Sequence, residues 1–213
     1  MKPSGQIIHI PQGEIAMEGM LVIPKNANGV VLFSHGSGSG RFSPRNNYVA
    51  EVLNQAGFAT LLIDLLTKEE DLVYQTRFNI PLLTLRLEAA VLWLKENDNT
   101  LDLPIGLFGA STGAAAALET AAALTNLIKG VVSRGGRPDL AMRVLNLVES
   151  PTLLIVGGND QQVIELNLEA YKELTCAKEI QIIPGATHLF EEPGCLEEVA
   201  RLAKQWFVKY LSK

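Results

Sequence analysis

A chain of 213 residues, 47% hydrophobic and 19% charged, is sized for one globular domain and can bury a core without disulfide or metal staples. Eighteen basic against 23 acidic side chains, a net charge of −5, argue against a nucleic-acid-wrapping surface and against a polybasic membrane anchor. No window approaches the ~18 apolar residues of a membrane span, and the segment after Met1–Gly5 is broken by His9 and Pro11, too short for a signal-peptide core.

A soluble, cytoplasmic protein is expected, and Cys176 and Cys195, which share no paired-ligand spacing, fit a reducing compartment. In chain order, residues 6–10 and 15–23 predict two strands joined by a turn through Pro11-Gln12-Gly13. A strand over 29–34 follows, then a helix over 44–56 whose start is marked by Ser43-Pro44, a capping hydroxyl before a first-turn proline. A strand over 58–65 and a helix over 81–96 come next, with Trp93 and Leu92 assigned to packing. The charged connection 67–80 between them is the least ordered-looking part and a candidate lid.

The second half repeats the rhythm. Strands are predicted at 105–110, 128–133, 152–157 and 180–183, and helices at 112–124, 139–148, 162–174 and 195–211, the last burying Trp206 and Phe207. Short, continuous apolar strands separated by helices specify an α/β fold with a parallel sheet covered on both faces. In such sheets ligands bind beyond the carboxyl ends of the strands. One domain over 1–213 is expected, with no room for a separate cap.

Gly109-Ala110-Ser111-Thr112-Gly113 matches G-x-S-x-G. Composition alone yields roughly 0.06 such matches in a chain like this, so placement has to add weight. It does: Pro104–Phe108 reads as a buried strand, and an alanine-rich helix follows at once. A serine on a sharp strand-to-helix turn presents its hydroxyl at the sheet edge, where bulky neighbours would clash. The plainer alternative makes Ser111 the N-cap of that helix.

Of the three histidines, His9 lies in the first strand, His35 follows the third, and His188 lies just past the last. A general base for Ser111 must come from another strand end on the same side of the sheet, and His188 qualifies, with a surface histidine in a loop as the plainer alternative. The orienting acid should leave the strand in between, and Asp160 ends the apolar run 152–157. Asp160 as a helix cap is the alternative reading, with Asp139, Glu191 and Glu165 as rival acids. The order Ser111, Asp160, His188 is that of α/β-hydrolases.

Ser34–Arg41 is a glycine-rich loop, yet it contains neither G-x-G-x-x-G nor Gly-Lys-Ser/Thr, which removes dinucleotide and P-loop readings. A flexible connector is one reading. The chemical one makes it half of an oxyanion hole, with amides from Ser37 and Thr112 as donors. Scattered histidines, no His-Glu-x-x-His and no cysteine pair leave no metal or cofactor to expect.

With His35-Gly36-Ser37-Gly38, Gly109–Gly113, Asp160 and His188 in this order, the chain resembles the small, cap-less dienelactone-hydrolase-like group of α/β-hydrolases, from about residue 15 to the end. The resemblance implies a mostly parallel eight-stranded sheet with an antiparallel opening hairpin and a Ser–His–Asp triad. It departs at one point: dienelactone hydrolases carry a cysteine nucleophile, and this chain has Ser111. That favours ordinary ester or related acyl chemistry over enol-lactone cleavage. The expected activity is cleavage of a small acyl substrate through an acyl-enzyme. Peptidase, thioesterase, acyltransferase and non-catalytic binding protein are the alternatives. Arg41, Arg134 and Arg137 stand near the expected mouth, either as an anion clamp for substrate or as solvated or acid-paired side chains.

Overall fold

Eight strands form one sheet in the order β1-β2-β4-β3-β5-β6-β7-β8 in the computed structural model, which describes residues 5–212. Strands β1 (Gln6–Gln12) and β2 (Ile15–Val22) form the antiparallel hairpin, and β2 runs antiparallel to β4 (Ala59–Ile63). All remaining pairings are parallel: β3 (Val30–Ser34), β5 (Ile105–Ala110), β6 (Ile128–Arg134), β7 (Thr152–Gly157) and β8 (Lys178–Ile183). The hairpin turn lies one step later than the sequence indicates, at Gly13 with φ +60. Pro11 is inside β1, opposite Ala16, where an outermost strand tolerates a residue with no amide to donate.

The central strands are buried on both faces because they alternate between two cores. Val30 and Leu32 of β3 join Leu61, Leu107 and Val131 in one layer, under α3 (Ile80–Glu96), α4 (Thr112–Ala123) and α5 (Gln161–Glu173). Val31 and Phe33 join Phe108, Val132 and Ile155 in the other, under α1 (Pro44–Gln55) and α6 (Cys195–Leu211). Each large side chain so buried contributes about 1.5–3 kcal/mol of transfer free energy. Helix α4 fits closely because Ala114–Ala117 add little bulk, and all four are fully buried.

Three details depart from the sequence reading. The predicted helix over 139–148 is a 3₁₀ helix, Pro138–Leu147. Its buried residues Pro138, Ala141 and Leu145 are spaced three and four apart, a stripe that either kind of helix presents. The connection 67–80 is ordered, holding α2 (Lys68–Asp71) and a 3₁₀ helix, Tyr74–Phe78. Leu92, assigned to packing, is 48% exposed, whereas Trp206 and Phe207 are core residues. Parallel pairing brings the carboxyl ends of β3 and β5–β8 to one edge, and every site residue proposed above as catalytic follows one of them.

Candidate active site

Strand β5 ends at Ala110 and α4 starts at Thr112, so Ser111 alone turns the chain, at φ +50 and ψ −122. That backbone is strained for a residue with a side chain and must be held by its surroundings. The Ser111 amide donates to Arg134 O at 3.3 Å, and Ser111 O accepts from the amides of Ala114 at 3.1 Å and Arg137 at 3.0 Å. The flanking glycines are required by space: a Cβ on Gly109 would lie 2.5 Å from Ala114 Cα, and one on Gly113 would collide with the carbonyl oxygens of Ser34 and His35. The Ser111 side chain makes no capping bond, so the N-cap alternative does not describe it.

Asp160 precedes α5, and it too makes no side-chain capping bond. Its Oδ2 lies 2.7 Å from His188 Nδ1. The loops carrying the two residues are stitched together: Asn159 donates from its amide to Ala186 O at 2.9 Å and from Nδ2 to Gly185 O at 2.9 Å. Thr187 bonds Glu192 through both amide and hydroxyl, at 3.1 and 2.6 Å, which fixes the near side of the loop. The rival acids are engaged elsewhere, Asp139 with Arg137, Glu191 with Arg45 and Glu165 with Gln161. With Nδ1 facing a carboxylate, Nε2 is the nitrogen left to exchange protons.

His188 and Ser111 face one cavity of about 200 Å³, whose wall also includes Ser37, Ser39, Arg134 and Leu189. The Ser37 amide donates at 3.1 Å to Thr112 Oγ1. Gly36 lets the loop come this close, because a Cβ there would lie 3.0 Å from Ser111 Cβ. His35 fixes the loop from behind. Its Nε2 accepts from the Leu65 amide at 3.0 Å and its Nδ1 donates to Gly36 O at 2.9 Å.

The three arginines separate. Arg41 is removed from the anion clamp: its guanidinium pairs with Asp64 and Glu18 and its amide bonds Asp64 Oδ1 at 2.6 Å. Arg137 is removed likewise by a two-pronged pair with Asp139, at 2.8 Å on each arm. Arg134 alone of the three lines the cavity. Two neighbours escape sequence reasoning, Arg45 and Asn46 in the first turn of α1. The Ser43-Pro44 cap marks that turn in the sequence, but not which strand end it abuts.

The profile described as "Dienelactone hydrolase family" matches residues 17–211. A crystal structure of dienelactone hydrolase from Anabaena variabilis is 54% identical, with a TM-score of 0.96, covering 99% of this chain and 100% of that one. Est1E from Butyrivibrio proteoclasticus, 18% identical with a TM-score of 0.83 over 97% of this chain and 98% of its own, shares the fold. Two Mycobacterium tuberculosis proteins named "Putative phosphoribosyl transferase" are 52% identical over 204 residues, 96% of this chain and 46% of theirs. This chain thus spans about half the length of those curated relatives. By the match across nearly all its residues and by its sheet, the chain belongs to the dienelactone hydrolase family.

Proposed function

We propose that this chain is a serine hydrolase of small acyl esters, built as one domain without a separate cap. The observation that carries the reading is Ser111, strained at the strand-to-helix turn, sharing a cavity with an imidazole whose Nδ1 lies 2.7 Å from Asp160. Ser111 Oγ attacks the acyl carbonyl while His188 Nε2 takes its proton. His188 returns that proton to the leaving oxygen, and Asp160 accepts from Nδ1–H and stabilises the imidazolium. Water, deprotonated by His188, then releases the acid and regenerates the hydroxyl.

The amides of Ser37 and Thr112 are the oxyanion donors, with the N-terminus of α4 adding its positive end. For the Ser37 amide to serve, the Thr112 hydroxyl that accepts from it must swing aside. A cavity of about 200 Å³ favours a compact substrate. Phosphoribosyl transfer is the name of relatives twice as long, and the site residues of this chain support acyl chemistry instead.

A panel of p-nitrophenyl esters and thioesters, assayed on wild type beside Ser111→Ala, tests this. Wild type is expected to turn over at least one, and Ser111→Ala to lose roughly 10⁴-fold or more in kcat/KM. Undiminished turnover by Ser111→Ala removes the reading. A fluorophosphonate probe that fails to label Ser111 would favour a non-catalytic binding protein.

A further inference from the structure

Among the described residues, Arg134 has no acid to balance it. It follows the burial of β6 into the cavity wall, 7% exposed, with its guanidinium 5.9 Å from the Phe190 ring. Its Nη2 donates to the neutral Asn46 Oδ1 at 3.3 Å, and its Nε has no partner at all. Among the described residues no carboxylate pairs with it, whereas Arg41, Arg86, Arg137 and Arg143 each have one. Burial, with repulsion from Arg45 adding to it, lowers its pKa to about 10, so it remains a cation at neutral pH. An uncompensated buried cation is costly to fold around and calls for an external counter-charge.

A second guanidinium stands beside it. Arg45 lines the same cavity, with a buried Nε that likewise lacks a partner. Its one acid, Glu191, binds Nη1 at 2.7 Å from a side chain 62% exposed, a pairing that water weakens. Arg45 is in the first turn of α1, a helix of 12 residues with no acidic side chain there. Ser43 caps that helix by accepting from the Asn46 amide at 3.4 Å, which leaves its own hydroxyl proton free to donate. The wall therefore offers two cations and several hydroxyls.

We propose that this wall is a phosphate subsite: the ester cleaved at Ser111 carries a phosphate monoester, held by Arg134 and Arg45 at the N-terminus of α1. The proposal rests on the serine-hydrolase reading and supplies its substrate class. Two guanidiniums match a phosphate monoester dianion in charge, where a carboxylate brings only one negative charge.

The test uses three small esters of like size, 2-acetoxyethyl phosphate, 3-acetoxypropionate and neutral 2-methoxyethyl acetate. Wild type is expected to prefer the phosphate ester at least tenfold in kcat/KM over both others, and Arg134→Gln and Arg45→Gln each to reduce that preference about tenfold. Inorganic phosphate is expected to inhibit p-nitrophenyl acetate hydrolysis competitively, at constant ionic strength, with its inhibition constant raised tenfold or more in both variants and unchanged in the distant Arg201→Gln. Equal use of the three esters, preference for the carboxylate, or an unaltered ratio in the variants overturns the subsite. Should Arg134→Gln fail to fold, Arg45→Gln on its partly exposed side chain decides. If no ester is cleaved the hydrolase reading fails by itself, and calorimetric titration of Ser111→Ala with inorganic phosphate still decides the subsite, binding weakened by Arg45→Gln supporting it and no heat of binding overturning it.

Discussion

His35 is held in a single tautomer, Nδ1 donating to Gly36 and Nε2 accepting from Leu65. Burial drives its pKa below the ordinary 6.5, against the pull of the Gly36 carbonyl, Asp64 and Asp71. The unfolded chain therefore takes up a proton near pH 6.5 that the folded chain refuses until lower pH. Stability from this residue is complete above that value and declines as pH falls from 6.5 toward the folded pKa, at no more than about 1.4 kcal/mol per pH unit. Thermal melts of wild type and His35→Gln from pH 7.5 to 5.0 check this: wild type should lose stability more steeply below pH 6.5, and parallel curves would remove the assignment. At this scale the sequence was informative about Ser111, Asp160 and His188 because each follows a strand end, and those ends meet at one edge. It was silent about His35 as a loop anchor, since its partner Leu65 is 30 positions away.

The segment between β4 and α3 shows how an element can be overlooked. Thr67-Lys68-Glu69-Glu70 spells a capping box, and the structure forms both of its bonds: Glu70 N to Thr67 Oγ1 at 3.2 Å and Thr67 N to Glu70 Oε2 at 2.8 Å. The run of charges there reads as solvated chain unless that box is noticed. Arg86 of α3 then clamps the element, with Glu70 Oε1 at 2.7 Å and Leu65 O at 3.3 Å. Few apolar contacts assist, since Leu72 is 84% and Tyr74 66% exposed. Arg86→Gln should thus loosen residues 67–78 before anything else. Hydrogen exchange should show faster amides in that stretch, with a global loss of about 1–2 kcal/mol, or roughly 2–8 °C in Tm. Protection unchanged in 67–78 would mean that the clamp is not what orders it. The 3₁₀ helix Pro138–Leu147 was hidden for another reason, because its buried stripe has the spacing of an α-helix.

For the molecule as a whole, strands were legible because a doubly covered sheet demands unbroken apolar runs, while helix faces depended on which layer each helix met. Phe207 and Leu92 make the contrast measurable. Phe207 is fully buried in the layer under α6 and packs on Gly106, where an added Cβ would lie 2.6 Å from its ring. Leu92 is half in solvent. Phe207→Ala should cost about 3–5 kcal/mol in denaturant unfolding, and Leu92→Ala no more than about 0.5 kcal/mol; similar losses for both would contradict this division of the core. The bond from the Ser37 amide to the Thr112 hydroxyl also acts across elements, since it spans the tip of the glycine-rich loop and the start of α4. Under the proposed mechanism, that bond keeps one oxyanion donor occupied by an internal stand-in. Arrival of a reacting carbonyl would then be an exchange of one acceptor for another, made by turning the Thr112 side chain.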